Sequence, residues 1–189
     1  MSKQSLRRLV RLRKYRLTFE ELQKQSLEIM RLLETLPVFQ ESHTILLYAS
    51  LPDEVQTIDF IQRWYQEKNI LLPVVKGDDL ELRRCTGCET LLKSGWGILE
   101  PHGEEVFTDY ETIDLAIIPG VGFTLDGKRL GRGKGFYDRL LSNPQFRNVY
   151  KIGIAFPCQI FSELPVNPYD VILDKVLSAF SVNSTLKNP

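Results

Sequence analysis

The sequence predicts an α/β fold: a three-layer α/β/α arrangement with a largely parallel central sheet and helices on both faces. Three observations carry that expectation. Short apolar runs alternate twice with helical patterns, and the runs read as strands buried on both faces. A chain of 189 residues with 43% hydrophobic residues is also sized for one such domain, spanning residues 1–189. At this length roughly 70% of the unfolded surface can be buried, so neither disorder nor a disulfide framework fits.

The elements follow in order. Residues 1–19 carry Lys3, Arg7, Arg8, Arg11, Arg13, Lys14 and Arg16 with no acid, as a mitochondrial transit peptide does. Leu6, Leu9, Val10 and Leu17 fall near helical spacing and Ser is sparse, which favours an amphipathic first helix. Thr18-Phe-Glu-Glu21 offers a capping box for a second helix, expected to end near Leu36 because Pro37 cannot continue it. Thr44-Ile-Leu-Leu-Tyr-Ala-Ser50 reads as a buried strand. Thr57 is expected to cap a helix with Ile58, Ile61, Trp64 and Tyr65 on one face, and Ile70-Leu-Leu-Pro-Val-Val75 as the next strand. Residues 80–113 read as short strands and loops. The alternation returns with a strand over 114–119, a helix over 136–141 and a strand over 150–156.

Charge excludes some functions and localises others. Lys plus Arg and Asp plus Glu both number 24, so no global field draws the chain to nucleic acid or to an anionic membrane. Neither partner is expected. No apolar run approaches the ~18 residues of a membrane span. Three cysteines, an odd number without a secretory signal, point to a reducing, cytoplasmic compartment. Locally the sign flips. Between Lys93 and Lys128 there is no Lys or Arg, while Glu100, Glu104, Glu105, Asp109, Glu111, Asp114 and Asp126 accumulate. Lys128, Arg129, Arg132 and Lys134 then fall within seven residues, interleaved with Gly131, Gly133 and Gly135.

That segment follows a predicted buried strand and opens a helix. Alternate glycines let backbone N–H groups converge on an anion, and the cations add charge-assisted hydrogen bonds. Open parallel sheets bind ligands beyond the carboxyl ends of their strands. Phosphate binding is the favoured reading; a solvated basic turn and an RNA-contacting Gly/Arg loop remain alternatives. The segment is neither a Walker A loop nor a dinucleotide fingerprint, since Gly135 stands where Ser or Thr is needed and Phe136 where the third glycine is needed. Asp138, in the first turn of the helix, is placed to hold Mg²⁺ beside a phosphate.

Weaker candidates keep two readings each. Cys85-Thr-Gly-Cys88 has metal or redox spacing but lacks partner ligands, so inert thiols are the alternative. Glu54, past a strand end, either reads substrate donors or is a solvated acid. Trp96, between Gly95 and Gly97, stacks on a ring or packs a core edge. Asp170 and Asp174 supply a metal carboxylate or begin a strand. Two histidines and no recognisable nucleophile argue against a hydrolytic triad.

Pro119-Gly-Val-Gly-Phe123, followed by Gly127-Lys-Arg-Leu-Gly-Arg-Gly-Lys-Gly-Phe-Tyr-Asp138, resembles the signature of the 5-formyltetrahydrofolate cyclo-ligase family, the methenyltetrahydrofolate synthetases. The resemblance extends to Tyr48-Ala-Ser-Leu-Pro-Asp-Glu-Val-Gln-Thr57, Lys93-Ser-Gly-Trp-Gly97, Ala155-Phe156 with Gln159, and Leu164-Pro-Val-Asn-Pro-Tyr-Asp170, in the family's order. It implies ATP- and Mg²⁺-dependent cyclisation of 5-formyltetrahydrofolate to 5,10-methenyltetrahydrofolate, ADP and phosphate, by a monomer. The implied ATP-binding residues are Lys3, Arg7, Arg129, Leu130, Gly131, Arg132, Gly133, Lys134, Gly135, Phe136 and Tyr137, with Arg132 and Lys134 catalytic. The folate set is Ala49, Glu54, Trp96, Arg132, Lys134 and Phe136, and Asp138 and Asp170 are the implied metal ligands. Phe136 stands where family members often carry Tyr, which keeps a stacking face and drops a hydroxyl. Two rival readings of the residues are an RNA- or polyanion-binding module and a different ATP-dependent kinase or ligase.

Overall fold

The computed structural model describes residues 1–103, 105–167 and 169–179. Glu104 of the acidic stretch and Pro168 of the Asn-Pro-Tyr-Asp segment lie outside them. The sheet is built first from parallel strands: β1 (Thr44–Leu46), β2 (Asn69–Lys76), β7 (Leu115–Ile118), β10 (Tyr150–Ala155) and β11 (Lys175–Ser178). Two antiparallel strands, β3 (Asp79–Arg84) and β6 (Val106–Phe107), extend one edge, giving the order β11-β10-β7-β1-β2-β3-β6. A separate hairpin pairs β4 (Leu91–Lys93) with β5 (Leu99–Pro101). This is the expected mixed, mostly parallel α/β fold.

The strand side chains are apolar on both faces because helices cover both. On one face Ile29 and Leu33 of α2 (Phe19–Glu34), Phe39 of α3 (Pro37–Glu41) and Ile61 of α4 (Ile58–Trp64) pack on Ile45, Ile70, Ile117 and Ile154. On the other, Leu140 and Leu141 of α5 (Phe136–Leu141) join Leu46, Leu71, Ile118 and Phe123. The first helix, α1 (Lys3–Lys14), contacts the turn Pro157–Gln159 instead, with Leu6 in a third cluster with Leu130 and Leu164.

Three local expectations are corrected. Thr18 forms its capping box with Glu21, but α2 ends at Glu34, and Pro37 opens α3 instead of merely stopping a helix. The strand predicted over residues 44–50 is assigned only to Leu46, since beyond Leu47 the backbone leaves the ladder. Thr57 explains the departure: its hydroxyl donates to the Tyr48 carbonyl at 2.5 Å and accepts from the Ser50 N–H at 3.1 Å. The same hydroxyl therefore makes no capping bond to α4, although the helix starts where predicted.

Candidate functional site

The site is assembled where two parallel strands end. After β1, Tyr48 and Ala49 turn toward a cleft of about 370 Å³; after β7, Pro119 and Gly120 form its opposite lip. From that lip a two-stranded hairpin, β8 (Gly122–Phe123) with β9 (Arg129–Leu130), carries the basic segment back over the sheet edge. The bend is fixed by one buried amide. Gln159 Nε2 donates to the carbonyls of Gly120 at 2.9 Å and Val121 at 3.0 Å, while its Oε1 accepts from the Phe156 N–H. Gly135 then leaves the loop at φ +73°, a left-handed conformation that lets α5 start immediately. That helix has six residues.

Most of the sequence-predicted residues meet here. Ala49, Glu54, Trp96 and Phe136 line the cleft together with Arg129, Gly131, Arg132, Lys134, Gly135, Tyr137 and Asp138. The β4–β5 hairpin brings Trp96 to the cleft, its ring edge-on to Phe136 with centroids 6.3 Å apart, and the Lys134 ammonium lies 5.6 Å from the Trp96 ring centre. Arg7 on α1 reaches the loop, donating from Nε to the Gly131 carbonyl and lying against Gly133. Leu130 turns its side chain away, into the apolar cluster with Leu6 and Leu164, and Lys3, Arg7, Gly133 and Asp170 do not line the cleft either.

Charges are closely matched. The Arg129 guanidinium, nearly buried, is ion-paired with Asp138 and donates to the Pro119 carbonyl, while its Nε has no partner. Lys3 pairs with Asp170 at 2.5 Å. Burial alone works against ionised Asp170, but bonds from Lys3 and the Asn167 N–H and the charges of Lys3 and Arg129 hold it below the usual carboxylate range. Arg132 donates from Nε and Nη2 to one oxygen of Glu54, at 3.1 and 2.8 Å, and from Nη2 to Asp53 at 2.7 Å. Lys14 in turn grips Asp53 through its backbone carbonyl and carboxylate. Burial disfavours the Asp53 anion, yet Lys14 and Arg132 together keep it below the ordinary range.

Neither a tyrosine nor a histidine serves this cleft as a neutral-pH general base. Burial, reinforced by the Glu54 charge, pushes the Tyr48 and Tyr137 phenols far up, so both remain protonated. Neither His43 nor His102 lines the cleft. The arrangement is suited to binding anions and to neutralising charge. Among the described residues no group of three or more His, Cys, Asp or Glu could hold a metal by itself. Asp138 and Asp170 fit Mg²⁺ only as partners of phosphate oxygens and water, the donor set this cation usually takes beside nucleotides.

Sequence reasoning missed Asp53, Lys14 and the bracing role of Gln159. Lys14 was visible as part of a stripe, since Lys3, Arg7, Val10 and Lys14 recur at helical spacing. For Asp53 the only signal was its place beside Glu54. Cys85, Cys88 and Cys158 carry free thiols, and none of them lines the cleft.

Comparisons with known proteins agree with one another. The 5-formyltetrahydrofolate cyclo-ligase family profile matches residues 1–179. The 5-formyltetrahydrofolate cyclo-ligase of Mus musculus is 32% identical over 188 residues, covering 93% of each chain, and that of Escherichia coli strain K12 is 31% identical over 180, covering 92% of this chain and 98% of its own. The solution NMR structure of Aquifex aeolicus 5,10-methenyltetrahydrofolate synthetase superimposes with a TM-score of 0.83 at 34% identity, covering 95% of this chain and 90% of that one. A Mycoplasma pneumoniae 5,10-methenyltetrahydrofolate synthetase gives 0.74 at 28%, with 95% and 99% coverage.

Proposed function

Because this chain belongs to the 5-formyltetrahydrofolate cyclo-ligase family and is an enzyme of that class, we propose that it uses ATP and Mg²⁺ to cyclise 5-formyltetrahydrofolate to 5,10-methenyltetrahydrofolate, releasing ADP and phosphate. One observation carries the reading: a single cleft holds the loop cations Arg132 and Lys134 at its rim and a nearly buried carboxylate, Glu54, at one end. The carboxylate suits the N–H donors of a pterin, and the rim suits a triphosphate. Trp96 and Phe136 offer ring faces and edges to the flat part of the folate.

In this reading the formyl oxygen takes the γ-phosphoryl group, N10 attacks the activated carbon and gives up its proton, and phosphate leaves with that proton as the ring closes. A formamide oxygen carries no proton, so the first step asks for alignment and charge neutralisation, which the cations of this cleft can provide. Arg132 and Lys134 stabilise charge on the transferring group. Arg129, with its free buried Nε, and Arg7 and Lys3 from α1 hold the remaining phosphates. Asp138 and Asp170 are the residues to hold Mg²⁺, each exchanging its present cation partner, and the bound ion supplies positive charge to the triphosphate. We read the enzyme as a cytoplasmic monomer; no helix of the described residues is long and apolar enough to cross a membrane.

The test mixes protein, MgATP and 5-formyltetrahydrofolate and follows methenyltetrahydrofolate absorbance. Product formation that requires both substrates is expected, and a folded protein yielding none would reject the assignment. Arg132→Ala and Lys134→Ala should each lower kcat by about a hundredfold or more while the fold persists, the scale of losing one transition-state donor.

A further inference from the structure

Glu54 has no oxygen to spare. Its Oε1 accepts both Nε and Nη2 of Arg132, and its Oε2 accepts the Leu51 N–H at 3.0 Å. The side chain is only 10% exposed, so a fourth donor has little access to it from solvent. Arg132 is held along one edge, because the Nη2 that meets Glu54 also meets Asp53, and Asp53 is fastened from behind by Lys14. A pterin N–H that takes Oε1 of Glu54 displaces Arg132 from it. A phosphate that takes the Nε–Nη2 edge of Arg132 in the bidentate way displaces it from Glu54. Each ligand breaks the same contact, and the second to arrive finds it already broken.

We propose that the Glu54–Arg132 ion pair is a latch opened by either substrate, with Asp53 as the positioning residue that keeps Arg132 on it, so that each substrate binds more tightly once the other is present. The inference rests on the functional reading above, which places a pterin at Glu54 and a triphosphate at Arg132. Linkage makes the coupling reciprocal: whatever folate does to nucleotide affinity, nucleotide does to folate affinity. Free enzyme then meets ATP with one rim cation, Arg132, neutralised, which disfavours nucleotide binding before the phosphoryl acceptor is in place. The pair is half open to solvent on the arginine side, so the coupling belongs at the modest end, roughly three- to tenfold.

Calorimetric titration of the intact protein with a non-hydrolysable ATP analogue plus Mg²⁺, with 5-formyltetrahydrofolate, and with each in the presence of the other, tests this. Both dissociation constants should fall by that factor in the paired titrations. Glu54→Gln should weaken folate binding yet strengthen analogue binding in the absence of folate, to about the level wild type reaches with folate bound. Asp53→Asn, at a side chain 55% exposed, should shift analogue affinity the same way by less and retain folate binding. Glu100→Gln removes another cleft-lining charge, one that makes no bond to Arg132, and should leave analogue affinity within about twofold. Equal constants with and without the second ligand, or a Glu100→Gln gain matching that of Glu54→Gln, would overturn the latch while the functional reading stood. If wild type bound no folate, the functional reading would fall, and analogue gains confined to Glu54→Gln and Asp53→Asn would still show Arg132 restrained. Should Glu54→Gln fail to fold, the Asp53→Asn gain decides.

Discussion

Arg7 Nε donates to the carbonyl oxygen of Gly131 at 2.8 Å, joining the first helix to a loop 124 residues further along the chain. The contact makes α1 part of the site. Leu6, one residue earlier, is buried with Leu130 and Leu164, so the apolar and polar edges of the helix act on the same hairpin. Arg7→Ala removes both a charge at the rim and the brace on Gly131. Steady-state kinetics should show the KM for ATP rising by about tenfold, the effect of one hydrogen bond to a charged group, with a smaller change for folate. An unchanged KM for ATP would place the triphosphate away from α1.

The sequence carried most of this site because its chemistry sits in one run. Residues 129–138 announce themselves by alternating glycine and cation, and α5 begins at Phe136 as the pattern implies. β2, β7 and β10 read correctly, and β1 as far as Leu46, because these strands are apolar on both faces. What could not be read depends on contacts distant in sequence. Nothing near Thr57 says that its hydroxyl will bond to residues 48 and 50 instead of capping α4. Nothing near Asp53 says that Lys14 and Arg132, 39 and 79 residues away, converge on it. The β8–β9 hairpin was equally hidden, since two-residue strands have no periodicity to detect.

Gly127 turns that hairpin at φ +92°, and a Cβ there would lie 2.1 Å from the Leu173 carbonyl oxygen. The glycine carbonyl also accepts the Leu173 N–H at 2.9 Å, so the turn is pinned to the segment leading into β11. Gly127→Ala meets backbone strain and a backbone clash together. Urea titration should show a loss of roughly 2–4 kcal/mol. A loss under about 0.5 kcal/mol would mean that the turn is far more adaptable than its packing implies.

The Cys88 thiol is pushed up to about 11, first by burial and then by Cys85, Glu89 and Asp59. At pH 8 only about one molecule in a thousand carries the thiolate that reacts. Alkylation of Cys88 by iodoacetamide, followed by mass spectrometry of the peptide, should be slow at pH 8 and accelerate toward pH 11. Cys88→Ser should keep turnover within about twofold. A large loss of activity in that variant would bring the thiol back into the chemistry.

The Lys3–Asp170 pair sets the acid limit for the docking of α1. Burial opposes the Asp170 charge, but Lys3 and the Asn167 N–H outweigh it, so the folded carboxyl titrates below the 3.8 of a free side chain. For a group whose folded pKa is depressed, the stabilisation is present above the unfolded value and disappears as pH falls through the folded one. Wild type should therefore exceed Asp170→Asn in Tm by a constant margin from about pH 7 down to about pH 5, and that margin should close steadily below 3.8. Lys3→Met should narrow it at neutral pH by removing the cation, while leaving the Asn167 hydrogen bond to account for the remainder. A margin that widened on acidification would require Asp170 to titrate above its free value, and then neither the lysine nor the backbone donor could be holding it.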